Sequence, residues 1–362
     1  QLYSRRMNKA LLAAAGGRKT QYIVDCCSNS AAKRRLVLTF ALTGQDVLLE
    51  RLWPVCSSQT VPEVIGWYTF LLDHIIRPYL PLLHPGVRVT GLNFVTGNDP
   101  AVRERGISRY IDNHGGVYNT RIAKLAFDVV RASDGAAVDR LERIYDEIYI
   151  DEVQDLVGND LDILETLLKS RIELTLVGDV RQSILRTSRS DNKNRKVQGI
   201  AKIDWFRSME EMRLCELEYC SSTWRCNQTI IDFADSVIPD RFGLPRTTSH
   251  QDEVTGHDGV FLVAPSDVPA YLETYRPVCY RDSKRTPTIG CATATNFGLS
   301  KGVTVDRVFI YPTGPIRDFL KSGKPLIDTS ACKLYVAATR AKHSVAFMVE
   351  NPQQYSLPQW TP

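Results

Sequence analysis

The sequence has no long apolar run, no Cys-x-x-Cys pair and little excess charge of either sign. No apolar stretch reaches the roughly 18 residues that a membrane-spanning helix needs, and the candidate at residues 64–76 is interrupted by Asp73. Lysine and arginine total 45 against 41 for aspartate and glutamate, which leaves a formal net charge of only +4. Any nucleic-acid surface must therefore be a local patch rather than a field over the whole molecule.

The cysteines are odd in number, nine in 362 residues, and their spacing is not that of a metal site. Cys215, Cys220 and Cys226 are close in sequence, but their spacing is irregular and no histidine lies nearby. We therefore expect free, mostly buried thiols in a reducing compartment, which favours a cytoplasmic location. The amino-terminal residues show no signal-peptide pattern, and no internal repeats or low-complexity segments occur.

Two segments read as buried strands that end in polar residues. Residues 148–150 are apolar and β-prone and lead into Asp-Glu-Val-Gln-Asp at 151–155. Residues 174–178 form a second such strand, followed by Asp179 and Gln182, with room for one helix between the strands. Open α/β sheets bind ligands at the carboxyl ends of their strands, and an adjacent carboxylate pair can hold Mg²⁺ and orient water. For the acidic motif alone, a surface turn is the alternative.

The amino-terminal region predicts a phosphate-binding loop. Residues 13–20, AAAGGRKT, follow a short apolar strand and precede a helix predicted over residues 21–27. Small residues let backbone N–H groups wrap phosphates, while a lysine and a hydroxyl reach the phosphate oxygens and Mg²⁺. A glycine turn joining a strand to a helix is the alternative interpretation.

Taken in order, three motifs resemble those of the UvrD/Rep-type helicases of superfamily one. They are DEVQD at 151–155, GDVRQS at 178–183 and LYVAATRA at 334–341. The resemblance extends over most of the chain, from about residue 14 to residue 342. It implies an α/β fold of two RecA-like parallel-sheet domains, with ATP and Mg²⁺ bound in the cleft between them.

The same resemblance suggests where the domains divide. We expect the first RecA-like domain at residues 1–206, with an inserted helical subdomain at about 78–143. The second RecA-like domain would occupy residues 207–362. Only 76 positions separate Arg225 from Lys301, so the long insertion that full UvrD-like helicases carry in the second domain has no room here.

The resemblance also implies roles for individual residues. Glu152 would be the catalytic base, Gln182 would sense the γ-phosphate, and Trp224 would stack on adenine in place of the family tyrosine. The catalytic candidates are Glu152, Gln182, Arg225 and Arg340; the ATP-binding candidates are Ala15, Gly16, Gly17, Arg18, Lys19, Thr20, Trp224, Lys301, Gly302 and Thr304; the Mg²⁺ ligands are Thr20 and Asp151.

Besides Trp224, three positions depart from the family pattern. Ala14 stands where the family has its first loop glycine, and Arg18 replaces the glycine before the lysine. Thr304 stands in for the family glutamate. We interpret the loop as divergent but working, because the acidic strand end and the arginine motif accompany it.

Arg340 follows Ala-Thr at what the sequence predicts to be a change from strand to helix. An arginine presented across a nucleotide cleft can neutralise charge in the transition state. The alternative is a surface arginine in the first turn of a helix, where the helix dipole disfavours a positive charge.

Nucleic-acid contacts are expected in two places. Thr39 and Phe40 resemble the family motif that lies near single-stranded nucleic acid. The family tryptophan after GDVRQS is absent, and a loop rich in arginine and lysine follows instead, in which Arg195, Lys196 and Lys202 are candidate phosphate contacts. A solvated loop is the alternative there. The aromatics at 67–70 follow an apolar helical pattern, for which core packing and base stacking both stay open.

The function implied is an ATP-dependent helicase- or translocase-like motor on single-stranded DNA, with RNA as another substrate. An alternative is an ATP-gated regulatory ATPase subunit of a nuclease-containing complex, for example in anti-phage defence, that does not unwind. A third is a nucleotide binder that does not hydrolyse, because Arg18 departs from the phosphate-loop pattern.

Overall fold

The computed structural model describes residues 7–40, 42–56, 61–94, 105–185, 187, 193 and 197–362. The strands are β1 (Lys9–Ala13), β2 (Arg35–Thr39), β3 (Glu63–Gly66), β4 (Gly91–Asn93), β5 (Gly116–Tyr118), β6 (Glu147–Ile150), β7 (Glu173–Gly178), β8 (Glu216–Cys220), β9 (Ser222–Thr223), β10 (Thr248–Ser249), β11 (Gly259–Val263), β12 (Val278–Arg281), β13 (Thr295–Asn296), β14 (Val305–Tyr311) and β15 (Ala341–Met348).

The helices alternate with these strands. They are α1 (Lys19–Asn29), α2 (Leu42–Leu52), α3 (Trp67–Phe70), α4 (Arg77–Tyr79), α5 (Ile122–Ala132), α6 (Ala136–Ile144), α7 (Asn159–Leu168), α8 (Lys202–Glu211), α9 (Gln228–Ser236), α10 (Val268–Tyr275), α11 (Gly314–Ser322) and α12 (Asp328–Ala338). A π-helical segment, Leu71–Ile76, joins α3 to α4.

The first sheet is parallel throughout and has the order β3-β2-β6-β7-β1-β8. Every residue of β2 and β6 is buried, as expected for strands covered on both faces. Because the strands are parallel, β1, β6 and β7 bring their carboxyl ends to one edge. The phosphate loop and the two polar strand ends therefore meet there.

The second sheet is also parallel, with the order β11-β15-β14-β12-β13. Near its β11 edge the chain end returns, and the N–H of Trp360 donates to the carbonyl of Leu262 at 2.8 Å. Helix α12 runs into β15 through Thr339 and Arg340. The predicted α/β fold class with parallel sheets in both halves is confirmed.

The inserted region contains more than helices. Its helices α5 and α6 fall within the predicted range of 78–143, apart from the last residue of α6, and α5 packs on α7. A short parallel ladder of β4 and β5 lies in the same region. The aromatic pattern at 67–70 is core for two of its members, since Trp67 and Phe70 are buried.

The first sheet extends beyond residue 206, the predicted end of the first domain. Strand β8 pairs with β1 over its full length, from Glu216 beside Lys9 to Cys220 beside Ala13. The first sheet therefore continues to Cys220, and the chain passes to the second half only after it. The composition of residues 207–220 does not signal this, because pairing partners of a parallel edge strand are distant in sequence.

All nine cysteines lie in the described part of the chain and are free thiols, five of them buried. No helix among the described residues is both long enough and apolar enough to cross a membrane.

Candidate active site

The phosphate loop runs from the end of β1 to the start of α1 at Lys19. Gly16 has φ +76°, and a Cβ there would lie 2.5 Å from Oγ1 of Thr223 and 2.7 Å from Cβ of Arg225. Only glycine fits such a close approach in this conformation. The loop is thus packed directly against the segment that leads into the second half of the chain.

Arg18 adopts a left-handed conformation, φ 55°, at the position where the family has glycine. Its guanidinium carbon lies 4.3 Å from the centroid of the Trp224 ring, a cation–π geometry. The His250 ring also stacks on Trp224, with centroids 4.9 Å apart and an interplanar angle of 19°. Trp224 is 37% exposed at the cleft and is not a core residue. The Arg18 guanidinium thus covers part of the Trp224 ring.

Hydrogen bonds from main-chain N–H groups hold the acidic end of β6 in place. The N–H of Asp151 donates to the carbonyl of Leu38 at 2.8 Å, and the N–H of Glu152 donates to Oδ1 of Asp151 at 2.8 Å. Glu152 has φ 54°, and its carboxylate accepts a hydrogen bond from the side-chain amide of Gln154. Strained backbone of this kind often occurs at functional sites, where the surroundings hold it in place.

The two neighbouring carboxylates have pKa values shifted in opposite directions. Burial and the charge of Glu152 raise the pKa of Asp151 to about 7, against the opposing charge of Lys19. Burial would also raise the pKa of Glu152, but Lys301 and Lys19 hold it below its usual range. A divalent cation would replace the proton at Asp151, which precedes the cleft residue Glu152, and Thr20 lines the same cleft as Glu152. This oxygen donor set fits Mg²⁺.

Lys301 crosses from the second half of the chain to the acidic motif. Its Nζ lies 2.6 Å from Oδ2 of Asp155 and 3.4 Å from Oε2 of Glu152. The ATP-binding role of Lys301 stays a prediction, and its ammonium contacts these two carboxylates. Asp155 is 1% exposed.

Arg340 and Gln182 meet across the interface of the two halves. Nη2 of Arg340 donates to Oε1 of Gln182 at 3.2 Å, while Nε2 of Gln182 donates to Asp179 at 3.0 Å. Burial and the nearby charge of Arg225 lower the pKa of Arg340 to about 10, so it stays charged at neutral pH. In the described part of the chain, neither guanidinium has a carboxylate partner.

The predicted setting of Arg340 was wrong. The residue lies at a change from helix α12 to strand β15, not from strand to helix. It is 1% exposed, and its Nε donates to the carbonyl of Val336 at 2.9 Å. A cation at the carboxyl end of a helix is favoured by the dipole, so the mismatch expected from the sequence does not exist.

A cleft of about 920 Å³ brings most of the predicted residues together. The candidates that line it are Gly16, Gly17, Arg18, Lys19, Thr20, Glu152, Gln182, Trp224, Arg225, Gly302, Thr304 and Arg340. Ala15 lies behind the lining and is fully buried. Sequence reasoning missed Arg51, Gln251, Glu253 and Lys342, which also line the cleft. None of these lies in a motif, so the sequence carried no signal for them.

The residues predicted to contact nucleic acid lie in different environments. Thr39 is 3% exposed, whereas Phe40 is half-buried with its ring 5.7 Å from that of Tyr68. Lys202 is fully buried, and its ammonium donates to the carbonyls of Gln154 and Leu156, so it is not a phosphate contact. Arg195 and Lys196 lie outside the described residues, and their role stays a prediction.

The match to a family model covers part of this cleft. Residues 113–196 match the UvrD/REP helicase N-terminal domain, a stretch that contains both the acidic motif and Gln182. The order of the three motifs agrees with it. The family-model match and the order of the motifs together support a UvrD-type helicase of superfamily one. No curated protein matches it in sequence.

Solved structures that align with the chain include viral helicases. The PRRSV helicase is 14% identical, with a TM-score of 0.46 over 98% of this chain and 56% of that one. Arterivirus nonstructural protein 10, a helicase, is 13% identical, with a TM-score of 0.49 over 96% of this chain and 61% of that one. Its complex with DNA aligns at 12% identity, with a TM-score of 0.49 and the same coverage of 96% and 61%. The chain thus spans less than two thirds of the length of these structures.

Proposed function

We propose that this chain binds ATP with Mg²⁺ in the cleft, hydrolyses it, and couples hydrolysis to movement on single-stranded nucleic acid. The observation that carries the proposal is the pair of guanidiniums of Arg225 and Arg340. They face the phosphate loop and Glu152 across the cleft and have no carboxylate partner among the described residues. Arg340 is buried and Arg225 is half-buried, and two neighbouring cations that form no salt bridge with a described residue favour a bound anion such as the γ-phosphate.

The residues divide the chemistry among them. Lys19 and the amides at the start of α1 would bind the phosphates, because a helix amino terminus attracts anions. Mg²⁺, held by Thr20 and Asp151, would neutralise charge on the phosphates. Glu152 is ionised at neutral pH and would orient the attacking water, with Gln182 beside it. Arg340 would stabilise the charge that develops in the transition state.

Coupling would come from contacts that join the two halves at the nucleotide. Gln182 follows strand β7 of the first sheet, and Arg340 follows helix α12 in the second half. Nη2 of Arg340 lies 3.2 Å from Oε1 of Gln182. A γ-phosphate would compete for both side chains, so its loss on hydrolysis would change the interface. Such a change is what a translocating motor needs.

The proposed track is single-stranded nucleic acid, DNA by the family likeness. Phe40, Tyr68 and Phe94 form an edge-to-face aromatic row with centroid separations of 5.7 and 5.9 Å, and Phe94 is 57% exposed. Aromatic side chains of this kind can stack on unpaired bases. We expect little unwinding of long duplexes by the isolated chain, because the second-domain insertion and the family tryptophan are absent.

The test is the rate of phosphate release from ATP with single-stranded DNA, duplex DNA and single-stranded RNA. Stimulation by a single strand, greatest for DNA, is expected. ATP hydrolysis that no nucleic acid stimulates would overturn the motor proposal, and processive unwinding by the monomer would overturn the expectation for duplexes.

A further inference from the structure

The hydroxyl of Tyr335 links the second half of the chain to the phosphate loop. Tyr335 is fully buried on α12, and its hydroxyl oxygen accepts the N–H of Ala15 at 3.1 Å. Ala15 is fully buried one residue before Gly16 in the loop. A loop amide is thus held by a side chain from the other half of the molecule, 320 positions away.

A buried arginine contacts the same hydroxyl. Nη1 of Arg181 lies 3.4 Å from the Tyr335 hydroxyl, 3.1 Å from Oγ1 of Thr247 and 3.4 Å from Oδ1 of Asp235. Arg181 is 3% exposed, and Asp179 lies 3.8 Å from its Nε. The cation is therefore enclosed by groups from both halves, which makes its position sensitive to how the halves are arranged.

Arg181 and Gln182, which are adjacent in sequence, both contact helix α12 or the residues that follow it. Arg181 reaches Tyr335, while Gln182 reaches Arg340, which follows the same helix α12 after Thr339. Tyr335 in turn reaches the phosphate loop. The loop, the Gln182 segment and the arginine at the end of α12 are tied together through one hydroxyl.

We propose that Tyr335 is a positioning residue that holds the phosphate loop in register with Gln182 and Arg340, so that ATP affinity depends on its hydroxyl. The inference rests on the proposed function of the cleft. Tyr335 does not line the cleft among the described residues, so it would act only through Ala15 and Arg181. Without the hydroxyl, a buried N–H and a buried guanidinium each lose an acceptor.

The test compares Tyr335→Phe with Tyr311→Phe. Both side chains are fully buried in the second half, and the Tyr311 hydroxyl donates to the carbonyl of Ile289, far from the loop in sequence. Each substitution removes one oxygen and keeps the ring. The measurements are the Kd of a non-hydrolysable ATP analogue, kcat and KM for ATP, the thermal unfolding midpoint, and amide hydrogen exchange of the loop without nucleotide.

We expect Tyr335→Phe to accelerate exchange at Ala15 and to raise Kd and KM about tenfold, the effect of one lost buried hydrogen bond. The kcat should stay within about twofold, because Gln182 and Arg340 keep their own hydrogen bond without the Tyr335 hydroxyl. Tyr311→Phe should leave exchange, Kd and KM unchanged.

Three results would overturn the assignment. Unchanged loop exchange would show that the hydrogen bond does not order the loop. Wild-type affinity in a folded Tyr335→Phe protein would show that the hydroxyl only fills space. Failure of the wild-type protein itself to bind the analogue would instead remove the proposed function, and the role of Tyr335 with it.

Discussion

The ammonium nitrogen of Lys301 lies 2.6 Å from Oδ2 of Asp155, and this ion pair joins the two halves beside the catalytic candidate Glu152. Both partners are nearly enclosed, with side-chain exposures of 10% and 1%. Removing one member of a buried pair leaves a charge without compensation, which costs far more than the loss of a surface pair.

We therefore expect Lys301→Met to lower the free energy of unfolding by about 3 kcal/mol at pH 8. Burial already raises the pKa of Asp155, and loss of the opposing Lys301 charge raises it further. A folded-state pKa above the unfolded value means that stability is lost as pH rises through it, so the deficit should shrink toward pH 5. Chemical denaturation at the two pH values measures this.

The matched control is Lys333→Met. Lys333 pairs with Asp282 at 2.8 Å, but their side chains are 34% and 33% exposed. Lys333→Met should lower the free energy of unfolding by less than about 1 kcal/mol, and this loss should vary little with pH. Equal deficits in the two variants would contradict the account of the Lys301 pair.

Trp224 should support the base of ATP. Trp224→Ala is expected to raise KM for ATP about tenfold or less, from the loss of an aromatic contact worth about 1 kcal/mol. Trp224→Tyr should change KM for ATP only slightly, because the aromatic ring is kept. Trp53→Ala is the control, because Trp53 is 66% exposed and outside the cleft lining. Steady-state kinetics that leave Trp224→Ala at the wild-type KM would exclude stacking.

Arg18 should compete with the base rather than assist it. Its guanidinium covers the Trp224 ring at 4.3 Å, and its left-handed backbone is strained for any residue but glycine. Arg18→Gly is therefore expected to raise the thermal unfolding midpoint and to lower KM for ATP about two- to threefold, because the base no longer competes with a cation–π contact. A higher KM would mean that Arg18 contacts the phosphates.

Mg²⁺ dependence should follow the ionisation of Asp151. Its pKa, raised to about 7, leaves the carboxyl partly protonated at pH 6, and a metal ligand must be deprotonated. The Mg²⁺ concentration that gives half-maximal ATPase should rise about tenfold from pH 8 to pH 6. Asp151→Asn should abolish this pH dependence together with most activity. A half-maximal concentration that does not change with pH would contradict the assignment.

The basic residues predicted to contact phosphates are of two kinds. Lys202→Ala should lower stability by about 1–3 kcal/mol, because two buried carbonyls lose their donor. It should leave the salt dependence of DNA binding unchanged. Arg195→Ala and Lys196→Ala should each flatten the log–log salt slope by about one unit. An unchanged slope in the last two variants would mean that Arg195 and Lys196 do not contact phosphates.

How far the sequence predicts the site depends on the distance over which a contact forms. Lys19, Glu152, Gln182 and Arg340 could be named from the sequence because each lies in a short motif with a specific local pattern. The Tyr335–Ala15 contact joins residues 320 positions apart, and no local sequence pattern predicts it.

The errors have physical causes as well. Lys202 looked like a phosphate contact because charge is visible in sequence, whereas the carbonyls of Gln154 and Leu156 that bury it are not. The sequence did not show that the first sheet extends past residue 206, because the edge strand β8 pairs with β1, which is distant in sequence. Arg340 was assigned the wrong helix end because an apolar run such as residues 334–338 suits strand and helix alike.

The most direct test of the account is phosphate release from ATP by the wild-type protein and by Glu152→Gln, with and without single-stranded DNA. Glu253→Gln serves as the control, since Glu253 is another carboxylate of the same cleft. We predict that Glu152→Gln retains nucleotide binding and loses about 10²–10⁴-fold in rate, while Glu253→Gln stays near wild type. Undiminished hydrolysis by Glu152→Gln would contradict the assignment of this cleft as the site of ATP hydrolysis.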